Sequence, residues 1–461
     1  MQIIIFGLGY VGLVTAAGLA ESGHEVVGVD ILPERLDALA EGRAPFHEPM
    51  LDELVSRHVA TGRLRFASKP DGFHADVAFV AVGTHDGIAD WQTRSLLRCL
   101  EDALPVLPDG TVLAVRSTLP PEFAGRLGSI VADIRRQAGR SPIPVVVNPE
   151  FTREGSAVSD FLHPDRVVLG VVSDPRGIGV KRLTALYDPF AAPIVVMSAA
   201  DAVLAKLAAN LFLATKISFA NELASLCEAF GANVDRVVEA MSHDRRIGGA
   251  FLRPGVGFGG SCLPNQVAMT ARSAFRVGVS TPLLSAVKRV NEEQIGQFVR
   301  RIVEVIGGEL HGCKIGLLGL TFKPDTDDLR DAPSLAIARL LLEEGAEVVA
   351  YDPMPNARER AAVLVPGLEP VETAEGVFDG ADAVGLVTEW PEFTTLDWAA
   401  LAALMVRPRM IDGRNALDPA ALVAAGYHYQ DFGRTGRPVE ADAGLWLLPP
   451  VAAELEEGDV A

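Results

Sequence analysis

One glycine-rich segment places a thiol in a setting that suits nucleophilic chemistry. Cys262 ends the run Gly-Phe-Gly-Gly-Ser-Cys, and Leu263 and Pro264 follow it. Proline fits the first turn of a helix, and a helix N-terminus stabilises a thiolate relative to a thiol. Glycines also allow the backbone to approach a ligand closely. We therefore predict a nucleophilic cysteine at a helix start, against the alternative of a small buried cysteine in a tight loop.

A lysine and an asparagine interrupt a segment that is otherwise apolar. Lys206 and Asn210 stand four residues apart within 202–212, so they lie on one face of the predicted helix. A buried lysine is too costly to keep without a partner or a task. We therefore favour a lysine in a functional site over a surface lysine that buries only its apolar stem.

The elements that position these residues begin with a strand, a glycine turn and a helix. Residues 2–6 predict a buried parallel strand, and Gly7, Gly9 and Gly12 form a G-x-G-x-x-G turn before an apolar helix. Such a turn holds a pyrophosphate at the helix N-terminus. The next strand delivers Asp30 at the spacing of a carboxylate that binds an adenosine ribose. The pattern predicts NAD, because a carboxylate there repels the 2′-phosphate of NADP.

Three more strand-like runs extend the first sheet to about residue 190, at 76–82, 111–116 and 144–147. The loops that follow them contain Thr84, the pair Ser117 and Thr118, and the segment 148–155. Ligands bind at the carboxyl ends of the strands in a doubly wound sheet. Three loops converging on the glycine turn favour a functional use over plain turns.

The order of strand, helix and strand is repeated in the second half of the chain. Residues 314–320 predict a strand, a helix is predicted over 332–344, and the next strand ends at Asp352. A charged loop replaces the glycine turn, with Lys323 and Arg330 available for phosphates; a solvated loop is the alternative. The predicted fold class is α/β, with two Rossmann-like doubly wound domains joined by a central helical segment.

Composition limits the classes of partner. The 461 residues suggest about three domains, and a formal net charge of −19 argues against a nucleic acid or an anionic membrane as partner. We expect no run of apolar residues long enough to cross a bilayer. The cysteines lack metal-ligand spacing and no charged leader precedes the first strand, so we expect a reduced, cytoplasmic protein without a metal. They are Cys99, Cys227, Cys262 and Cys313.

Motifs along essentially the whole chain resemble the UDP-glucose/GDP-mannose dehydrogenase family of nucleotide-sugar dehydrogenases. That family oxidises C6 of the sugar twice with NAD and does not release the aldehyde. The resemblance implies conversion of UDP-glucose to UDP-glucuronate, with dTDP-glucose and GDP-mannose as alternative substrates. The matching residues are Gly7 to Gly12 with Asp30, Ser117 and Thr118, 148–151 with Glu154 and Gly155, Lys206 with Asn210, 246–248, 257–264, Phe322 and Lys323 with Asp327, Asp328 and Arg330, and 412–415.

The resemblance also implies roles for single residues. Cys262 would capture the aldehyde, Lys206 and Asn210 would stabilise oxygen charge, Thr118 or Glu150 would handle protons through water, and Gln266 lies beside the thiol. The implied cofactor-binding set is Gly7, Gly9, Tyr10, Val11, Gly12, Asp30, Arg35, Thr84, Ser117, Thr118, Glu154 and Arg330. The implied substrate-binding set is Glu150, Phe151, Lys206, Asn210, Arg246, Phe251, Arg253, Gly257, Phe258, Gly259, Phe322, Lys323 and Arg414.

The domain boundaries follow from the same resemblance. We expect a homodimer or higher homo-oligomer, with Arg246 reaching the site of a neighbouring subunit. The expected division is an NAD-binding Rossmann domain at 1–195, a central helical dimerisation domain with the cysteine loop at 196–298, a Rossmann-like nucleotide-sugar domain at 299–440, and an acidic tail at 441–461.

The chain departs from the family pattern beside the thiol. The family continues Lys-Asp after the cysteine loop, whereas this chain has Asn265 and Gln266; His85 replaces a proline elsewhere. A glutamine can form hydrogen bonds but cannot take a proton near neutral pH. One alternative is that Glu150 or a water held by Thr118 suffices as the base. The other is failed hydrolysis of a thioester, giving an impaired dehydrogenase or a non-catalytic nucleotide-sugar-binding paralogue.

Overall fold

Runs of Ile, Val and Leu form the strands of two separate sheets. The computed structural model describes residues 1–70, 73–84 and 90–434, so His85 and the acidic tail lie outside the described residues. The first sheet contains β1 (Gln2–Phe6), β2 (Glu25–Val29), β3 (Leu64–Ala67), β4 (Val77–Val80), β5 (Val112–Val115), β6 (Val145–Val147), β7 (Val167–Ser173) and β8 (Ile194–Ser198). The second contains β9 (Lys314–Leu318), β10 (Glu347–Tyr351), β11 (Leu368–Pro370), β12 (Ala383–Leu386), β13 (Arg409–Asp412) and β14 (His428–Gln430).

The strand orders are those of doubly wound sheets. The first is β3-β2-β1-β4-β5-β6-β7-β8 and the second is β11-β10-β9-β12-β13-β14. The pair β6 and β7 is antiparallel, whereas the other strand pairs are parallel. The predicted fold class is confirmed, although the first sheet continues to Ser198 rather than ending near residue 190.

Helices cover the sheets and join them. Around the first sheet lie α1 (Tyr10–Glu21), α2 (Pro33–Ala40), α3 (Leu51–Ala60), α4 (Arg94–Ala103), α5 (Pro121–Gln137), α6 (Ala157–Leu162) and α7 (Ile178–Tyr187). The centre contains α8 (Ala199–Phe230), α9 (Val234–Ser242), α10 (Leu263–Arg276) and α11 (Pro282–Ile306). The second sheet has α12 (Pro333–Glu343), α13 (Pro355–Leu364), α14 (Trp398–Ala402) and α15 (Pro419–Ala424).

Alternation along β1 supplies the cores on both faces of the first sheet. Ile3 and Ile5 join one buried cluster, and Ile4 and Phe6 join another on the opposite face. In the parallel ladder Phe6 is paired with Val29. The glycine turn and Asp30 therefore emerge side by side at the carboxyl edge of the sheet.

The expectation that no apolar run could cross a bilayer is wrong for α8. By length and composition this helix is long and apolar enough, since its most apolar 18-residue stretch has a mean hydropathy of 1.4. Charged residues such as Lys206 and Lys216 are few among its apolar residues, so the mean stays high. In the fold, α8 packs against β7, α5, α10 and α11, as a central helix of a globular domain does.

Candidate active site

The glycine turn between β1 and α1 is closely packed at Gly7 and Gly12 and open at Gly9. A Cβ at Gly12 would collide with the carbonyl oxygen of Gly7, so only glycine lets the helix approach the turn this closely. A Cβ at Gly9 would meet no atom within 4 Å, which leaves that backbone open. Tyr10 and Val11 form the first turn of α1. A phosphate therefore has access to the N-terminus of this helix.

Asp30 is a buried carboxylate beside this turn. Its oxygens accept hydrogen bonds from the backbone nitrogens of Leu8 at 2.7 Å and Leu32 at 3.0 Å. Arg35 forms an ion pair with it at 2.8 Å. Burial disfavours the charged carboxylate, but these donors outweigh burial and lower its pKa. Asp30 is therefore ionised at neutral pH.

The loops after β4 and β5 close the same edge of the sheet. The Thr84 hydroxyl donates to the carbonyl of Thr118 at 2.5 Å, and the Ser117 hydroxyl donates to the carbonyl of Val82 at 2.6 Å. Both hydroxyls are thus used to hold the loops together. The turn, Asp30 and these loops lie on one edge, as the sequence predicts.

Lys206 and Glu150 form a buried ion pair. The Lys206 ammonium lies 3.0 Å from Glu150 Oε1 and 5.3 Å from the centre of the Phe151 ring. Glu150 Oε2 accepts hydrogen bonds from the amide and hydroxyl of Thr152. Burial would raise the pKa of Glu150, but Lys206 and Thr152 lower it overall. The predicted buried lysine is confirmed, since only 3% of its surface is exposed.

Asn210 contacts the residue that departs from the family pattern. One turn after Lys206 on α8, its amide nitrogen donates to Gln266 Oε1 at 3.0 Å. Gln266 is buried in the first turns of α10, and its own backbone nitrogen donates to the carbonyl of Cys262. The glutamine therefore links Asn210 to the start of the cysteine helix.

Cys262 immediately precedes α10, with Pro264 in the first turn as predicted. The residue is accessible to solvent, yet the protein atoms around its thiol desolvate it. Desolvation raises the pKa of Cys262, the Glu150 and Glu154 carboxylates add to this, and Lys206 only partly opposes it. The helix start that the sequence predicts is present, but desolvation has the larger effect on the thiol.

Glu154 connects the cysteine loop to the second half of the chain. Its Oε1 lies 3.5 Å from the Ser261 hydroxyl and 3.1 Å from Arg330 Nη2. Arg330 also binds Asp328 at 2.7 Å. Burial, together with the Asp328 carboxylate, raises the pKa of Glu154 to about 8. Glu154 therefore shares Arg330 with Asp328 and holds a proton at neutral pH.

The cysteine loop, residues 255–262, packs directly on the second α/β half. A Cβ at Gly259 would collide with the carbonyl oxygen of Asp331, so glycine is required by a close approach of protein to protein. Phe258 is buried and exchanges backbone hydrogen bonds with the Asn291 amide at 2.7 and 3.0 Å. Sequence reasoning attributed these glycines to ligand approach alone and missed this packing.

Arg414 joins the same seam. Its guanidinium donates to the carbonyl oxygens of Val387, Gly257 and Phe322 at 2.6, 2.9 and 3.3 Å. Lys323 is half-buried near this seam, and burial lowers its pKa. These positions place Phe322, Lys323 and Arg414 beside the cysteine loop, as expected of a site between the two halves.

Two of the arginines expected at the substrate are exposed to solvent in the single chain. Arg246 forms an exposed ion pair with Asp244, with 88% of its side-chain surface accessible. Arg253 is also exposed. Phe251 lines a cavity of about 710 Å³ together with the Lys206–Glu150 ion pair, Phe151 and Asn210.

Family models match three successive parts of the chain. They are the NAD-binding domain of the UDP-glucose/GDP-mannose dehydrogenase family at residues 1–191, its central domain at 200–293 and its UDP-binding domain at 316–419. The chain belongs to the UDP-glucose/GDP-mannose dehydrogenase family.

Similar proteins cover nearly the full chain of this dehydrogenase-family member. UDP-glucose 6-dehydrogenases from Rhizobium meliloti and Pseudomonas aeruginosa are each 39% identical, over 94% of this chain and 100% and 98% of theirs. A solved UDP-glucose dehydrogenase from Pyrobaculum islandicum superposes with a TM-score of 0.84 at 36% identity, covering 95% of this chain and 98% of that one.

The departure from the dehydrogenase pattern changes the partners around the thiol without leaving side chains unsupported. Asn265 donates to the carbonyl of Ser261 at 3.1 Å and to Asp331 Oδ2 at 3.2 Å. Gln266 binds Asn210, as described above. Both replacements are buried and hydrogen-bonded, so two neutral amides are well accommodated beside the thiol.

Sequence reasoning missed Glu48, which lies between α2 and α3. This buried carboxylate binds Tyr10 and the amides of the 155–158 segment. Its neighbour Pro49 predicts an extended residue but gives no indication of the contact. The only available signal was a carboxylate in an otherwise ordinary loop, and that signal is weak.

Proposed function

We propose that this chain catalyses the NAD-dependent oxidation of the C6 hydroxymethyl group of UDP-glucose to the carboxylate of UDP-glucuronate. The observation that supports this most directly is the meeting of Lys206, Glu150 and Asn210 beside Cys262, at the seam of two α/β halves. The relatives that cover nearly the whole chain are named UDP-glucose 6-dehydrogenase. The non-catalytic alternative is not favoured.

The residues of the first half fit NAD. The open backbone at Gly9, the free N-terminus of α1 and the ionised Asp30 match a pyrophosphate and a ribose with free hydroxyls. NAD, when bound, supplies the acceptor for each hydride. Glu154 and Arg330 lie at the far end of this edge, next to Ser261, where they can orient the reacting end.

Alcohol oxidation requires stabilisation of negative charge on the C6 oxygen. Lys206 provides a buried ammonium and Asn210 an amide on the same face of α8, both suited to an alkoxide. Glu150 is ionised and 3.0 Å from Lys206, so it can take the hydroxyl proton through a water. We assign the binding of that water to Thr118, whose side chain is half-buried in the loop after β5.

Cys262 makes the second oxidation possible without release of the aldehyde. The Cys262 sulfur adds to the aldehyde carbon, and its proton goes to the new oxygen, giving a thiohemiacetal. Loss of the hydride from carbon and of the hydroxyl proton gives a thioester. Water then attacks the carbonyl, its proton passes to Glu150, and the thiol leaves as the acid forms. Glu150 takes the base role because Gln266 cannot hold a proton near neutral pH.

The stoichiometry of cofactor reduction tests this proposal. Purified protein with excess NAD should form two NADH per UDP-glucose consumed. Cys262→Ser should abolish the second oxidation, whereas the matched control Cys313→Ser, at another free cysteine, should leave the stoichiometry at two. Formation of no NADH with UDP-glucose would contradict the proposal, and turnover with dTDP-glucose or GDP-mannose instead would reassign the substrate.

The exposed side of α8 supports a homodimer. Phe212, Phe219 and Leu226 are exposed apolar residues spaced seven apart, which places them along one face of the helix. Such a patch is typical of a protein interface. Phe212→Asp should give a monomer by light scattering, whereas Val363→Asp, at an exposed valine on α13, should not change the mass. A dimer that survives Phe212→Asp would exclude this face.

The remaining expectations stay part of the proposal. Four unpaired cysteines suit the reducing environment of the cytoplasm. The division into a cofactor domain, a central helical domain and a nucleotide-sugar domain is supported by the two sheets and by the central helices between them. Limited proteolysis would test this division, because we expect cleavage at the predicted domain boundaries.

A further inference from the structure

Glu48 is a buried carboxylate whose charge is balanced by hydrogen-bond donors. Only 5% of its surface is exposed, and within the described residues no ion pair involves it. Lys323 is near enough for Glu48 to raise the pKa of its ammonium, although burial of Lys323 is the larger effect and lowers it. A carboxylate kept in such a place needs partners that compensate its desolvation.

Those partners come from two separate parts of the cofactor edge. The Tyr10 hydroxyl, in the first turn after the glycine turn, donates to Glu48 Oε2. The Gly155 amide donates to the same oxygen at 2.6 Å, and the Ala157 amide donates to Oε1 at 2.7 Å. Glu48 thus bridges the dinucleotide turn and the segment that immediately follows Glu154.

The position of Gly155 determines where Glu154 can lie. Gly155 has φ +79°, and a Cβ there would lie 2.8 Å from the carbonyl oxygen of Asp325 in the second half. Its amide is therefore held between Glu48 and the second half of the chain. Glu154, one residue earlier, reaches Ser261 and Arg330 from that anchored position.

The same loop contacts the second half directly. The backbone nitrogen of His47 donates to Asp327 Oδ1 at 3.3 Å, and Asp327 also accepts a hydrogen bond from Asn356. Residues 47 and 48 thus touch the glycine turn's helix, the Glu154 segment and the charged loop of the second half.

We propose that Glu48 is a positioning residue that couples the dinucleotide turn to Glu154 and, through it, to the cysteine loop. Its hydrogen-bond partners in the described residues include neither the Cys262 thiol nor the Lys206–Glu150 ion pair. Its effect is to keep Glu154 where a bound NAD and Arg330 require it, so its loss weakens NAD binding more than it slows the chemical steps. The inference rests on the proposed function for the identity of the cofactor.

Calorimetric titration with NAD tests the proposal without needing turnover. Glu48→Ala should raise the Kd for NAD by about tenfold or more, because several charge-assisted hydrogen bonds are lost. The kcat with UDP-glucose should change by less than the KM for NAD. Glu48→Gln should be intermediate, since an amide nitrogen at Oε2 would face the Gly155 N–H instead of accepting from it.

Tyr10→Phe and a control variant separate positioning from folding. Tyr10→Phe keeps the backbone donors and should weaken NAD binding by about threefold, and its effect should not add to that of Glu48→Ala. Glu21→Gln, at the carboxylate bonded to Arg57 and His58 at the far end of α1, should leave the Kd unchanged. If Glu48→Ala does not fold, Glu48→Gln and Tyr10→Phe still decide the matter.

Two outcomes would overturn the inference. One is a normal Kd for NAD in folded Glu48→Ala or Glu48→Gln protein. The other is additive effects of the Tyr10 and Glu48 substitutions, which would show that the two residues act independently. A wild-type protein that binds NAD but does not oxidise UDP-glucose would count against the proposed function and leave the coupling by Glu48 to be decided by the titrations.

Discussion

The two α/β halves build the same turn around an aspartate, but the aspartate has different hydrogen-bond donors in each half. Asp30 and Asp352 each follow the second strand of their sheet, and each accepts a hydrogen bond from a leucine amide at 2.7 Å, Leu8 in one half and Leu320 in the other. The preceding glycine has φ +88° in the first half and +91° in the second. The backbone construction is therefore repeated almost atom for atom.

The difference lies in what fills the remaining lone pairs. Asp352 Oδ2 also accepts hydrogen bonds from the Thr321 amide and hydroxyl and from the Trp390 indole, and the residue is fully buried. Within the described part of the chain, Asp30 has only Arg35 beyond its backbone donors, and it borders the open turn. The hydrogen-bonding capacity of Asp352 is used within its own domain, whereas Asp30 is available to a ligand. A shared turn therefore does not establish a shared ligand.

The largest expected effect concerns stability. Asp352→Ala should lower the free energy of unfolding by about 4 kcal/mol, because several buried donors lose their acceptor. Asp30→Ala should cost about 1–2 kcal/mol, since fewer donors are orphaned. Urea unfolding of the two variants measures the contrast. A greater loss for Asp30→Ala would show that Asp352 is not the more tightly bound of the two carboxylates.

The next effect concerns cofactor binding in the first half. Asp30→Ala should weaken NAD binding by about tenfold, because a charge-assisted hydrogen bond to the ribose is lost. It should also improve NADP binding, since Arg35 is freed beside the ribose and the repelling carboxylate is gone. Titrations with both cofactors measure this. Asp37→Ala, at an exposed carboxylate on α2, should leave both affinities unchanged.

A third prediction concerns pH and the contact between the halves. Because the pKa of Glu154 is raised from 4.5 to about 8, the folded state binds more protons than the unfolded state between those values. The contribution of Glu154 to stability is therefore full at low pH and declines as the pH rises toward 8. Thermal unfolding of Glu154→Gln across this range should show a flatter decline than the wild type. An unchanged slope would exclude a proton on Glu154.

The smallest effect concerns backbone strain. Met50, before α3 in the first half, has φ +68°, whereas the left-handed non-glycine residues in the second half are Asp325, Asp331 and Asn415. Asp and Asn tolerate this conformation better than Met. Met50→Gly should stabilise the fold by about 0.5–1 kcal/mol in urea unfolding. Met50→Ala, which keeps the strain, should not stabilise it.

Sequence alone predicts the local parts of this molecule well. The turn from Gly7 to Gly12, the burial of Lys206 and the helix start after Cys262 depend on residues close together in the chain. Their spacing therefore contains the information, and the structure confirms it. The repeat ending at Asp352 is predicted for the same reason.

The remainder depends on contacts between distant segments. The raised pKa of Cys262 results from the protein that surrounds the thiol, which no spacing reveals. The internal hydrogen bonds of Asp352 include one from the indole of Trp390, which lies 38 residues away. Glu48 gains its partners from residues 38 and 107 positions distant. The individual roles of the site residues stay predictions until the variants above are measured.

The packing of the cysteine loop on the second half has a consequence for how such chains can be recombined. Gly259 fits against the Asp331 carbonyl, and Arg414 donates to the carbonyl of Gly257. The residues that shape the cysteine loop thus lie about seventy positions or more after Cys262 in the sequence. In a chimera that joins the first two-thirds of this chain to the final third of a relative, the cysteine loop would pack against a surface shaped for a different loop.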